Sequence, residues 1–174
     1  MSETRWLDDD EQRTWRAFLW TTRLLNDALD RQLQRDSGMP HTYYMILAML
    51  SEAPGRKLTM TELARIVHSS PSRLSHAVNR LEESGWVSRT KLACDRRTTI
   101  AELTDEGFEV LKEAAPGHVK AVREVLFDPL TRDQVMELRG TLQTLMDSLN
   151  ADVESCEASG AEADLADTDT AEAC

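Results

Sequence analysis

Between Thr59 and Gly107 the hydrophobic period of the chain changes from helical to strand-like and back. Thr59 opens a capping box with Glu62 and starts a short helix that reaches Ile66 or Val67. After a brief turn, Ser70 is a good N-cap and Pro71 takes the favoured first helical position. That second helix runs to Ser84 and stops at Gly85. Trp86 to Leu92 and Thr98 to Leu103 then read as two strands, joined by Ala93-Cys94-Asp95-Arg96-Arg97. Thr104 caps the next helix, and Asp105 and Glu106 suit its positive N-terminal end. Two short helices across a tight turn, followed at once by a hairpin, predict a helix-turn-helix with a two-stranded wing.

The flanking segments are helical. Residues 11–35 carry Trp15, Phe18, Thr22, Leu25 and Leu29 at 3-4-3-4 spacing, the seam of a helix packed along another helix, and Gly38 and Pro40 end it. Thr42 to Ser51 is almost wholly apolar and is expected to be a buried central helix, with a turn at Ala53-Pro54-Gly55. Pro116 is expected to kink the helix that Thr104 opens. Thr131 and Gln134 form another capping box, ahead of a seam of Val135, Leu138, Leu142, Leu145 and Leu149. The expected fold is mainly α with a small β-hairpin. One domain spans residues 1–150, and its winged lobe lies at about 56–104.

Charge is distributed as unevenly as hydrophobicity. The net charge is -11, yet residues 56–97 hold nine basic and four acidic side chains. Residues 151–174 hold eight acidic and no basic ones, with almost no large apolar residue, and read as a disordered tail. A basic middle between acidic ends fits a module that binds a polyanion. The start, Met1-Ser2-Glu3-Thr4, lacks the basic and apolar stretches of a signal peptide, and the longest apolar run, Tyr43 to Leu50, is too short for a bilayer. A cytoplasmic protein is expected, with no membrane partner. Cys94, Cys156 and Cys174 share no CxxC spacing, and the four histidines show no paired metal spacing, so neither metal nor other cofactor is expected.

On the helix from Pro71 to Ser84, Leu74, Ala77, Val78 and Leu81 form the core stripe. Arg73, His76 and Arg80 lie on another face with Ser72 and Ser75, and Ser70 stands at the helix start. Arginine can donate two bonds to a guanine edge, and serine can serve a base or a phosphate, so this face fits a major groove. Arg96 and Arg97 at the hairpin tip can reach a minor groove, where the negative potential is deepest. Arg89 on the first strand adds positive charge, and Asp95 makes sense as an anchor that pairs with an arginine and stiffens the loop. The same residues would suit any solvated helix face and any charged turn, and it is their combination that favours double-stranded DNA.

Asp95, Arg97, Leu103, Thr104 and Gly107, in the run Asp95-Arg96-Arg97-Thr98-Thr99-Ile100-Ala101-Glu102-Leu103-Thr104-Asp105-Glu106-Gly107, resemble the wing signature of the multiple-antibiotic-resistance-regulator (MarR) family. Ala101 stands where valine is more usual. Leu63-Ala64, Arg80-Leu81-Glu82 and Gly85-Trp86-Val87 resemble the family as well, and the resemblance covers roughly residues 11–149. It implies a homodimer of two winged lobes, with dimerisation helices at about 8–36 and 105–150. It also implies a transcriptional repressor that binds a pseudo-palindromic operator and is often released by a small, frequently aromatic effector. The effector pocket would draw on Trp15, Trp20, Tyr43, Tyr44 and Met45, although such a stripe is more often core.

Three other readings stand beside this one. A winged helix can bind protein alone, which leaves the basic wing unexplained. Cys94 beside Arg96 could make the regulator redox-responsive, against the commoner case of a bystander thiol. Ser75-His76 with Asp95 supplies the residue types of a hydrolase, but adjacent helical residues point apart and no nucleophile elbow is present, so no enzyme is expected.

Overall fold

The computed structural model describes residues 4–92, 95 and 97–168, with side chains through residue 151. Two compact units divide the chain, Met1–Leu126 and Phe127–Cys174. In the first, the order is α1 (Asp9–Ser37), α2 (His41–Glu52), a 3₁₀ turn, β1 (Lys57–Thr59), α3 (Met60–Ile66), α4 (Pro71–Glu83), β2 (Val87–Lys91), β3 (Thr99–Leu103) and α5 (Asp105–Val122).

Helix α1 begins at Asp9, two residues before the expected start at residue 11. Asp8 accepts from the backbone of Asp10 and Glu11, and Glu11 reaches back to the Asp8 amide at 2.9 Å, a full capping box. Gly38, at φ 64°, ends the helix as expected. The seam itself divides in two. Leu29 is buried, whereas Trp15 is 51% and Phe18 43% exposed.

The core gathers around α2, whose Ile46, Leu47 and Leu50 are fully buried. Leu63 of α3, Leu74, Val78 and Leu81 of α4, Val87 of β2, and Ala101 and Leu103 of β3 close over them. Leu111 and Ala114 of α5 complete the cluster. The whole predicted core stripe of α4 is buried, because those positions recur with the helical period.

The sheet has three antiparallel strands in the order β1-β3-β2, so the expected hairpin gains a third strand. Lys57 to Thr59 is too short to show a strand period. It pairs in register with Ile100 to Glu102, and Lys57 meets Glu102 directly across the ladder at 3.0 Å.

Helix α5 runs through Pro116 without a break in its helical course and passes into a π-type turn at Arg123–Phe127. The second unit is dominated by α6 (Arg132–Thr168), opened by the expected Thr131–Gln134 box. The backbone is helical through Thr168, where the sequence reading expects a disordered tail from residue 151. The segment is rich in Ala and Glu and has no proline, so local propensity favours the helix that its low hydrophobicity left out of account.

Candidate nucleic-acid interface

Helix α4 follows α3 after a turn stitched by three backbone bonds, from Val67 to Leu63, His68 to Arg65, and Ser69 to Ala64. His68 holds φ at +47° in this turn, a left-handed geometry that non-glycine residues seldom adopt. Ser70 caps α4, its hydroxyl accepting from the Arg73 amide at 3.4 Å. Its first duty is therefore to the helix rather than to a ligand. With the stripe of Leu74, Ala77, Val78 and Leu81 turned into the core, Ser72, Arg73 and His76 are exposed and Ser75 is half-buried. Arg80 is exposed too, but its guanidinium is bound to Glu83 at 2.9 Å.

A compact joint holds the wing to this helix. Gly85, at φ 77°, lets the chain leave α4, and the Trp86 amide returns to the Leu81 carbonyl. Thr104 donates its hydroxyl to the Gly85 carbonyl at 2.7 Å and also accepts from the Gly107 amide at 3.0 Å. A Cβ on Gly107 would lie 2.1 Å from the Trp86 carbonyl oxygen, so only glycine fits there. The Leu-Thr-x-x-Gly part of the wing signature is thus a strand-to-helix lock.

Two sequence-level roles change in the structure. Arg89, expected to add to the DNA-facing charge, is half-buried, and its guanidinium clamps the Glu82 carboxylate of α4 through Nε at 2.9 Å and through a second bond from Nη2. The Arg89 amide donates to the same carboxylate at 3.2 Å. The guanidinium hydrogen bonds hold the Glu82 carboxyl below its usual range. Arg89 therefore positions the wing on α4. Asp95 does stiffen the hairpin, and among the described residues it does so through the Arg97 backbone amide at 2.9 Å and the Thr98 hydroxyl at 2.7 Å. The Thr98 hydroxyl, followed by the backbone amides, keeps this carboxyl ionised below the usual carboxylate range. Arg97 stands exposed at the tip. Arg96 and Cys94 lie outside the described residues.

Among the described residues, the five aromatic and methionine candidates occupy three different settings. Trp15 and Trp20 are exposed on the first half of α1, Tyr43 and Met45 pack on the lobe core, and Tyr44 is buried against His118. A cavity of ≈ 260 Å³ opens instead among Gln32, Arg35 and Asp36 of α1, Gly117 and Lys120 of α5, and Glu124. None of the five lines it.

A sequence model of the MarR family matches residues 37–98. The structure superposes with a TM-score of 0.81 on Sco3205, a MarR family transcriptional regulator from Streptomyces coelicolor solved in complex with DNA. The two share 51% identity over 85% of this chain and 92% of that one. The chain belongs to the MarR family. AbsC, another MarR family regulator from Streptomyces coelicolor, is 38% identical over 85% of this chain and 99% of its own, at a TM-score of 0.79. The transcriptional repressor MprA of Escherichia coli is 24% identical over 70% of both chains. A MarR family winged helix is a DNA-binding, transcription-regulating fold, and the relatives named here are regulators rather than enzymes. Among the described residues, no helix is long and apolar enough to cross a membrane. The structure gives roles to two residues to which the sequence reading assigned none, His68 in the helix-turn-helix turn and Glu82 beneath the wing. The first carries no sequence signal, because backbone strain is invisible there. The second could have been suspected from an acidic residue placed seven positions before an arginine across a glycine turn.

Proposed function

We propose that this MarR family chain binds a pseudo-palindromic operator as a homodimer and acts as a repressor. The observation that carries the reading is the joint of α4 and wing. An exposed face of Ser72, Arg73 and His76 and an exposed Arg97 are fixed to one rigid body by the Glu82–Arg89 clamp and the Thr104–Gly107 lock. Arg73 and His76, helped by Ser72 and Ser75, read base edges in the major groove, and Arg80 exchanges Glu83 for a phosphate. Arg97, with Arg96, enters the adjacent minor groove. The DNA complex of a relative with 51% identity supports this docking.

Dimerisation is supported by apolar side chains left in solvent on both candidate elements. Trp15, Phe18, Trp20 and Leu24 are exposed on α1, and Leu142, Leu145, Met146 and Leu149 on α6. Such a number of exposed large apolar residues marks an association surface. A footprint of the protein on fragments from upstream of its own coding region tests the operator, and sedimentation in the same buffer tests the dimer. Protection of one asymmetric half-site by a monomer would overturn both statements. A winged helix devoted to protein contacts predicts no retardation of any duplex. Release by a small effector is tested by titrating aromatic carboxylates into the same assay.

A further inference from the structure

At the meeting of α1, α2 and α5 lies a polar cluster that DNA reading does not use. His118 falls on the core face of α5 in series with Gly107, Leu111 and Ala114, and is only 8% exposed. Its ring packs 4.2 Å from Tyr44 and 5.4 Å from His41, both on α2. The His41 amide donates to Asp30 of α1 at 2.8 Å. Two atoms in this junction are buried with no partner among the described residues, His118 Nδ1 and, on α1, Gln32 Oε1. Gln32 is 6% exposed and spends its amide nitrogen on Asp36 at 3.0 Å. It also packs against α5, since a Cβ on Gly117 would sit 3.3 Å from Gln32 Nε2.

Orphaned buried polar atoms lose their hydration without a compensating bond, so their survival in a core calls for a reason. We propose that the His118–His41 pair is an acid-responsive switch that sets the packing of α5 on α1 and α2 and, through it, operator affinity. The DNA consequence rests on the proposed operator binding. Neutral His118 can leave Nδ1 bare, whereas the imidazolium must carry a proton there. In the observed packing that proton has no acceptor. Gln32 Oε1 is an acceptor without a donor, so protonation drives α5 and α1 to close a His118 Nδ1–H to Gln32 Oε1 bond.

Other groups facing the pair set the balance. From α1, Asp30 favours protonation of His41, and Asp36 is already engaged by Arg35 and Gln32. From α2, the Tyr44 ring faces His118 in either state, its hydroxyl pushed up by burial and by Glu52. On α5, the Lys120 cation lies close to the Asp36 carboxylate and helps to keep it ionised. Burial first, then the neighbouring His41, pushes His118 below the ordinary imidazole range, and burial pushes His41 the same way. Both rings are therefore neutral at pH 7.5, and the neutral junction is the operator-binding form. Helix α5 starts directly at the Thr104 lock of the wing, so a shift at His118 is transmitted to the reading head along one helix.

The test compares the wild type with His118→Phe, a ring of similar shape that cannot take a proton. Operator affinity of the full-length dimer is measured between pH 7.5 and 5.5 on a duplex selected from random sequence. The two proteins differ only at residue 118, so the quantity read is the affinity ratio of wild type to variant. That ratio should fall about tenfold on acidification, within the usual span of allosteric coupling. A ratio independent of pH overturns the proposal. A second measurement, on the wild type alone, guards against a variant that misfolds. Imidazole NMR should give His118 a lower pKa in the operator complex than in the free protein, and equal values overturn the switch. If no duplex is bound at any pH, it is the operator reading that fails. Hydrogen exchange, corrected for intrinsic rate, then decides the switch. Protection at the start of α2 and the end of α5 should differ between pH 7.5 and 5.5, and identical protection overturns it.

Discussion

Arginines in this lobe divide by what already holds them, and the division predicts how each behaves when removed. Arg73 is exposed, and its side chain makes no hydrogen bond or ion pair among the described residues. Arg73→Ala should relax preference at particular base pairs, by about 1–3 kcal/mol against the preferred base, and leave stability unchanged. Binding to an operator series with each base pair replaced in turn checks this, and an unaltered profile would remove Arg73 from the reading face. Arg80 must give up Glu83, an exposed pair that contributes little. Arg80→Ala should weaken all sequences alike and flatten the dependence of log K on log salt by roughly one unit per subunit. Arg89 differs from both, because it is bound to Glu82 through two guanidinium bonds. Arg89→Ala should lower affinity without changing base preference. A double-mutant cycle with Glu82→Ala should return a coupling of about 1 kcal/mol, reduced from a buried pair's value because both groups are partly solvated. Asp95 provides the sharpest sign test. A carboxylate near DNA repels it, so a residue acting by charge alone would, when replaced by alanine, let the DNA bind more tightly. Its bonds to the Arg97 amide and the Thr98 hydroxyl hold the wing tip in shape, and Asp95→Ala should therefore bind more weakly. Tighter binding in a filter assay would defeat this reading.

Among the elements, those with a strong period or a cap were readable from sequence. The four buried positions of α4 fall on one stripe, the Ser70-Pro71 start and Gly85 stop are local chemistry, and the strands β2 and β3 follow from their alternation and flanking turn residues. Element β1 was not readable, since three residues carry no period and the strand exists only because β3 offers a free edge. The long extension of α6 was missed because low hydrophobicity was weighed ahead of helix propensity. In the candidate site, exposure and burial along α4 were legible from spacing alone. The fates of Arg89 and Asp95 were not, because nothing in a sequence says which neighbour claims a charged group first. The signature glycine marks the boundary between these cases. A glycine three residues after Thr104 could be read as a matched motif, but its reason is the Trp86 carbonyl that occupies the space of a Cβ. Gly107→Ala should thus destabilise by about 3 kcal/mol, near the upper end for overpacking, because the obstacle is backbone and cannot rotate away. Urea unfolding measures it, and a loss below about 0.5 kcal/mol would mean that the joint is loose.

For the whole molecule, pH provides a prediction that needs neither operator nor partner. His118 and His41 are both pushed below the ordinary imidazole range, by burial first, and for His118 by His41 as well. In the unfolded chain both return to about 6.5. Between the depressed folded values and 6.5 the unfolded chain holds more protons than the folded one, so unfolding free energy rises with pH across that window. Their neutral burial is thus compatible with full stability above about pH 6.5, and stability is lost as pH falls below it. Carboxylates with lowered values act in the same direction but in a lower window. Asp95, Glu62 and Glu82 are held down mainly by hydrogen bonds, and what they contribute is lost only as pH falls below the ordinary carboxylate range near 4. Two steps should therefore appear when unfolding free energy is followed from pH 8 to pH 3 at constant ionic strength. His118→Phe should remove most of the upper step and leave the lower one. His76→Phe, on the exposed face of α4, should leave both. If the upper step survives intact in the His118 variant, the buried imidazole is not its source, and the junction of α1, α2 and α5 is not the acid-sensitive point of the molecule.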